Sequence, residues 1–105
     1  MIKTWGGRSE FDYDGSVLAG TKIRYGAHLE YSKNVTANGY AALRSFFRGK
    51  VIKVGPSRTD PPSGSLGKWL LNHVTQTGIA SYVAPILVRE GYAIKVNKTS
   101  IQIIR

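Results

Sequence analysis

Two histidines, six carboxylates and no cysteine make up the acid–base and metal-binding stock of this 105-residue chain. Without cysteine there is no disulfide, no thiolate nucleophile and no cysteine-ligated zinc or iron–sulfur centre. His28 and His73 lie far apart, and a zinc site built on them would need carboxylates brought in from elsewhere. The spacing around His73 instead puts it on the packed or boundary face of a helix. Asp12-Tyr13-Asp14-Gly15 opens like a calcium loop, but the later acidic ligands are missing, so a turn is expected. Gly64-Ser65-Leu66-Gly67-Lys68 is too short for a phosphate-binding loop. No serine has a His/Asp pair suggested by the sequence. An enzyme needs a tuned acid, base or nucleophile in a cleft, and the pattern here points to a protein with no enzymatic activity, no cofactor and no metal.

The remaining chemistry is that of fixed positive charge. Fifteen Lys and Arg against six Asp and Glu give a formal net charge of +9. The excess is unevenly placed. Residues 1–32 balance Lys3, Arg8, Lys22 and Arg24 against Glu10, Asp12, Asp14 and Glu30, whereas residues 33–105 set eleven cations against Asp60 and Glu90. Such a surplus serves solubility, or it attracts a polyanion, most often nucleic acid. The cations that would neutralise phosphate are Arg44, Arg48, Lys50, Lys53, Lys68, Lys95 and Lys98. Arg58, in the proline-rich stretch 55–64, could reach a minor groove or a partner pocket, but is read instead as solvated or paired with Asp60.

These side chains need elements to hold them. Hydrophobic residues make up 42% of the chain, enough for one globular domain. Residues 1–9 are glycine-rich and read as loose. Phe11 to Tyr31 reads as β structure, with a turn at Asp14-Gly15 and strands over Thr21–Tyr25 and Ala27–Ser32. Thr36 can cap a helix whose apolar stripe is Tyr40, Leu43 and Phe47, widened by Phe46, with Gly49 as its stop. A short strand follows over Lys50–Val54, and residues 55–64, with three prolines, are irregular. Ser65 opens a second helix with Leu66, Trp69, Leu70, His73 and Val74 in its stripe. A third helix packs Ile79, Val83, Ile86 and Leu87 inward and ends at Gly91. Pro85 lies inside it and must bend it or move its start. The chain closes with a hairpin, Ala93–Val96 and Ser100–Arg105, around Asn97-Lys98-Thr99.

From Thr36 onward the order is helix, strand, helix, turn, helix, strand, strand. Val74-Thr75-Gln76-Thr77-Gly78-Ile79-Ala80-Ser81-Tyr82-Val83, then Ile86-Leu87 and Glu90-Gly91-Tyr92, resembles the turn and last helix of bacterial winged-helix repressors. The resemblance is close over 66–105, looser over 36–54, and does not reach 1–35. It implies that Thr75, Gln76 and Thr77 stand at the entrance to a DNA groove, that Ser81 and Tyr82 face outward, and that Lys95 and Lys98 lie on a wing. Hydroxyls and a helix N-terminus suit phosphate oxygens, and Gln76 suits an adenine edge. The outward face of the third helix offers Ala80, Ser81, Ala84, Pro85 and Val88, with only Arg89 charged, near the far end, so weak sequence specificity follows.

The expected architecture is therefore α+β: a winged helix-turn-helix over 36–105, with three helices and a C-terminal hairpin wing, and an N-terminal β-hairpin or meander over 1–35. The expected function is nucleic-acid binding, with duplex DNA favoured and RNA open through the likeness of small basic winged helices in ribosomal proteins. A homodimer is possible. The alternative is a protein-interaction adaptor using the apolar face of Ala80, Ala84, Pro85 and Val88. With no hydrophobic leader and no apolar run long enough for a membrane, the expected location is cytoplasmic.

Overall fold

In the computed structural model, which describes residues 1–105, ten elements follow one another: β1 (Ile2–Lys3), β2 (Glu10–Ser16), β3 (Gly20–Tyr25), β4 (Tyr31–Thr36), α1 (Ala37–Phe47), β5 (Val51–Lys53), α2 (Leu66–His73), α3 (Ala80–Arg89), β6 (Ala93–Lys95) and β7 (Ser100–Ile103). The fold is α+β, with three helices and two antiparallel sheets ordered β1-β2-β3-β4 and β5-β7-β6. No helix is long and apolar enough to cross a membrane.

The helices begin where local chemistry places them. The Thr36 and Ser65 hydroxyls accept from the amides of Gly39 and Lys68 at 3.0 and 3.1 Å, each satisfying a donor that the first turn leaves free. Gly49 takes a positive φ just beyond α1, where a side chain would be strained. Tyr40, Leu43 and Phe47 are buried as their spacing requires, but Phe46 is 56% exposed, so the inward stripe of α1 is narrower than the sequence suggests. On α2, Leu66, Trp69 and Leu70 are buried, while His73 is exposed and stacks on the Trp69 ring at 4.5 Å.

The four-stranded sheet differs from the expected hairpin. Asp14 and Gly15 lie within β2, and the turn falls at 17–19. The last strand begins at Tyr31, after a turn over 26–30, rather than at Ala27. Alternation sorts its faces. Asp12, Asp14, Lys22 and Arg24 point outward, and Arg24 bridges Asp12 and Asp14 at 2.9 and 2.6 Å. The guanidinium holds both carboxyls below the usual carboxylate range. On the other face Phe11, Thr21, Ile23 and Val35 are buried. The Thr21 and Tyr40 hydroxyls hydrogen-bond at 2.8 Å, tying this sheet to α1.

That inner face also covers α3. Phe11 packs edge-on to Tyr82 with ring centroids 5.2 Å apart, and Tyr25 stacks on Tyr82 at 4.9 Å. At the far end of the helix, Glu90 accepts from the Tyr13 hydroxyl at 2.6 Å and from the Val17 amide at 2.9 Å. Pro85 contributes through what it lacks. A proline has no N–H to give to the carbonyl four residues back, which here is Ser81. That carbonyl accepts instead from the amide of Trp5 at 2.9 Å. Residues 1–9 are thus ordered rather than loose: β1 pairs with β2, and Trp5 is held by backbone to α3.

Candidate nucleic-acid interface

The residues expected to enter a groove are largely withdrawn from solvent. Tyr82, expected to face outward, is 6% exposed, because Phe11 and Tyr25 of the sheet of residues 1–36 pack against its ring. Ala80 and Ala84 are buried, whereas Pro85 and Val88, the other two residues of the apolar face considered for a protein partner, are half-buried and border a shallow hollow. Ser81 is half-buried with its carbonyl engaged. Thr75 and Thr77 are half-buried and joined by a bond from the Thr77 amide to the Thr75 hydroxyl, leaving Gln76 as the exposed residue of that turn. The loop carrying Arg58 crosses the turn as well: a side chain at Gly78 would meet Arg58 Cα at 2.7 Å. The entrance to α3 is therefore closed from two sides.

The cations divide into two groups at opposite ends of the β5-β7-β6 sheet. The register pairs Lys53 with Ser100 and Val51 with Gln102, so Lys53, Lys95 and Lys98 gather at the hairpin tip and Lys50 lies at the other end. There Arg44 Nε donates to the Arg105 carbonyl at 2.9 Å, and its guanidinium sits 4.5 Å over the Tyr92 ring. Lys50 lies 5.3 Å over Phe46, Lys68 borders a shallow cleft with Trp69 and His73, and Arg48 closes α1. The seven cations named from sequence do not converge on one patch: Lys53, Lys95 and Lys98 form one end, and Arg44, Arg48, Lys50 and Lys68 the other.

The hairpin tip carries more charge than the sequence indicated. Trp5 Nε1 donates to the Lys98 carbonyl at 2.7 Å, and Lys95 Nζ lies 5.0 Å over the indole. This anchors the loop of residues 4–9 beside the tip and brings Arg8 with it. Three clefts run along that loop. The first, about 450 Å³, is lined by Tyr25, Gly26, Tyr31, Glu10 and Arg58. The second, about 520 Å³, shares Ser9, Arg58 and Tyr82 with the first and adds Arg8. The third, about 530 Å³, shares Gly6 and Pro56 with the second and adds Trp5, Lys53 and Lys98. The shared residues make the three clefts neighbours along one side of the molecule, in a row that we call the trough. Beyond Trp5, a smaller hollow holds Lys3, Arg89 and Lys95.

Of the fifteen Lys and Arg, Arg24 alone forms an ion pair with a carboxylate, so the cations of the trough are unneutralised. Arg58 does not pair with Asp60; it lies against Tyr82. Burial pushes the Tyr82 phenol up, and the guanidinium offsets part of that rise. No three His, Asp or Glu side chains come together as metal ligands.

Sequence reasoning missed Lys3, Trp5, Arg8, Arg89 and the Tyr25–Tyr31 pair as members of this surface, and it undervalued Arg58. The available signal was Pro85: a proline inside a helix frees a carbonyl, and another segment must reach it. No family model, curated protein or solved structure matches the chain.

Proposed function

We propose that residues 37–103 form a winged helix-turn-helix unit, and that the protein binds nucleic acid through phosphate contacts at the hairpin tip and the adjoining trough rather than through its third helix. The helix-strand-helix-helix-strand-strand order and the β5-β7-β6 pairing support the architectural reading. One observation carries the functional reading. Arg8 and Arg58 in one cleft and Lys53 and Lys98 in the cleft beside it come from separate stretches of chain and have no carboxylate partners. Unneutralised cations in a concave surface concentrate a polyanion's field and release its counterions on contact. With α3 covered, affinity comes from the backbone and is insensitive to base sequence.

A salt titration of binding to random-sequence duplex and single-stranded DNA tests this. About four phosphate contacts give a log–log slope of roughly −3 to −4. Affinity indifferent to salt, or no binding to either polymer at low salt, defeats the reading.

A different surface favours a second reading, that of a protein contact. Val51 and Ile94 flank Gln102 on the outer face of the β5-β7-β6 sheet and are 57% and 50% exposed. Sedimentation equilibrium showing a stable dimer would favour it.

A further inference from the structure

The trough is not uniformly cationic. Aromatic rings stand at both ends, with Arg58 and Arg8 between them and Lys53 and Lys98 beside the ring at one end. At one end Tyr31 is 59% exposed, with its ring 5.6 Å from Tyr25, which in turn stacks on buried Tyr82. Gly26 adopts a positive φ, and a side chain there would collide first with the Glu30 carboxylate and then with the Tyr31 ring, so glycine is what lets both lie over the turn. At the other end stands Trp5, fixed through its Nε1 and its backbone amide. Arg58 and Arg8 lie between. Resting on the phosphate-binding reading above, we infer that the trough takes single-stranded nucleic acid, with one base stacked on the exposed Tyr31 ring and the adjoining phosphates on Arg58 and Arg8.

Three features carry this. An exposed aromatic braced from behind by a second and a third ring is already ordered, so a base that stacks on it forfeits little side-chain freedom. Stacking of this kind tolerates any base, because every base presents a π face. The size and shape of the clefts come next. Each admits a base with its sugar, but a duplex is too broad to enter and keeps its bases stacked on one another, so only an unpaired strand can use both the rings and the cations. Finally, the acids of the trough gather at the Tyr25–Tyr31 cleft, where Glu10 is part of the lining and the Glu30 carboxylate lies against Gly26. A carboxylate there repels phosphate and accepts from an exocyclic amine. It therefore orients the strand, with bases toward Glu10 and the tyrosines and backbone toward Arg58 and Arg8.

The experiment uses the full chain and three probes of matched length: an oligodeoxyadenylate strand, the same phosphodiester backbone made abasic, and a duplex. Binding is read by fluorescence anisotropy at low salt. Tyr31→Ala is expected to weaken the adenylate strand about tenfold while leaving the abasic strand and the duplex unchanged. Tyr31→Trp, which keeps an aromatic surface, is expected to bind the adenylate strand at least as tightly as the parent. Circular dichroism checks that both variants keep the parent fold. Parent protein that binds the abasic and adenylate strands equally, or Tyr31→Ala that loses nothing, overturns the stacking inference and leaves phosphate binding standing. Failure of the parent to bind any of the three overturns both.

Discussion

The sheet formed by residues 1–36 does two different things along one side of the molecule. Over α3 it closes: Phe11 and Tyr25 sandwich Tyr82, the Trp5 amide takes up the carbonyl that Pro85 leaves free, and Tyr13 and Val17 both donate to Glu90. No buried side-chain polar atom in the molecule lacks a partner. A few residues away, along the 4–9 loop and the rim at Tyr31, the same segment stays open, with cations unpaired and an aromatic ring in solvent. A matched interface of this kind is what folding requires, since an unpartnered buried polar group costs about 1–3 kcal/mol. The open rim meets no such requirement, and its unpaired charge is what a phosphate chain would neutralise. On the proposed reading, binding belongs to the rim and stability to the seam over α3.

Tyr82→Ala is the strongest way to break that contrast. If the seam is core, removing a ring packed between two others costs about 3–5 kcal/mol of unfolding free energy, read by denaturant titration. A cost below about 1 kcal/mol would mean that Tyr82 is a peripheral residue after all, and that the sheet is only lightly docked.

A smaller effect sharpens the same contrast at the other end of α3. Tyr13→Phe leaves one Glu90 oxygen without its donor and is expected to cost about 1–3 kcal/mol. The phenol itself gives a pH signature. Burial first, and then the bond to the Glu90 carboxylate, push the Tyr13 hydroxyl up to about 12 from an ordinary 10.0. Burial also raises Tyr40. A raised phenol favours the folded state while it stays protonated. Its contribution is fully present below pH 10 and is lost as pH rises through about 12, because the unfolded chain ionises first. Absorbance at phenolate wavelengths should show part of the tyrosine complement resisting ionisation until the protein unfolds. A single titration near the ordinary value, with the fold intact, would contradict the seam as described.

Much of the helical part was legible in advance because its signals are local. Thr36 and Ser65 cap their helices, Gly49 stops α1, and the Ala93–Ile103 hairpin is marked by its turn residues. The seam was not legible, although one clue to it was present. The outward face of α3 is a poor base reader because Ala80, Ala84, Pro85 and Val88 carry no polar group and its one charge, Arg89, lies at the far end. A helix apolar on both faces through most of its length is a buried helix, and the scarcity of charge implies a second layer of protein over it. Periodicity finds one buried face; here there are two. The trough lay further out of reach, because it depends on a backbone bond from Trp5 to Ser81 that brings residues 4–9 against a hairpin more than eighty residues away in sequence.

The contrast has a last and weakest edge, between the two cationic ends of the β5-β7-β6 sheet, and it is the one most able to mislead. Both ends carry several Lys and Arg, and net charge alone would make them equal. Their surroundings differ. At the α1 end Arg44 is engaged by the Arg105 carbonyl and the Tyr92 ring, and Lys50 lies over Phe46, so each would have to give up a contact to meet phosphate. At the hairpin tip, Lys98 borders a cleft and Lys53 makes one long bond of 3.2 Å to the Thr99 hydroxyl. Lys53→Gln with Lys98→Gln should therefore lower the salt slope of strand binding by about two, one per lost phosphate contact, with stability unchanged because both side chains are exposed. Arg48→Gln with Lys50→Gln removes the same charge from the opposite end. If position rather than total charge governs binding, that pair changes affinity by less than about twofold at moderate salt, where screening confines a charge's influence to roughly 10 Å. Equal losses from the two pairs would show a protein that binds by charge alone, and would dissolve the distinction between rim and remainder.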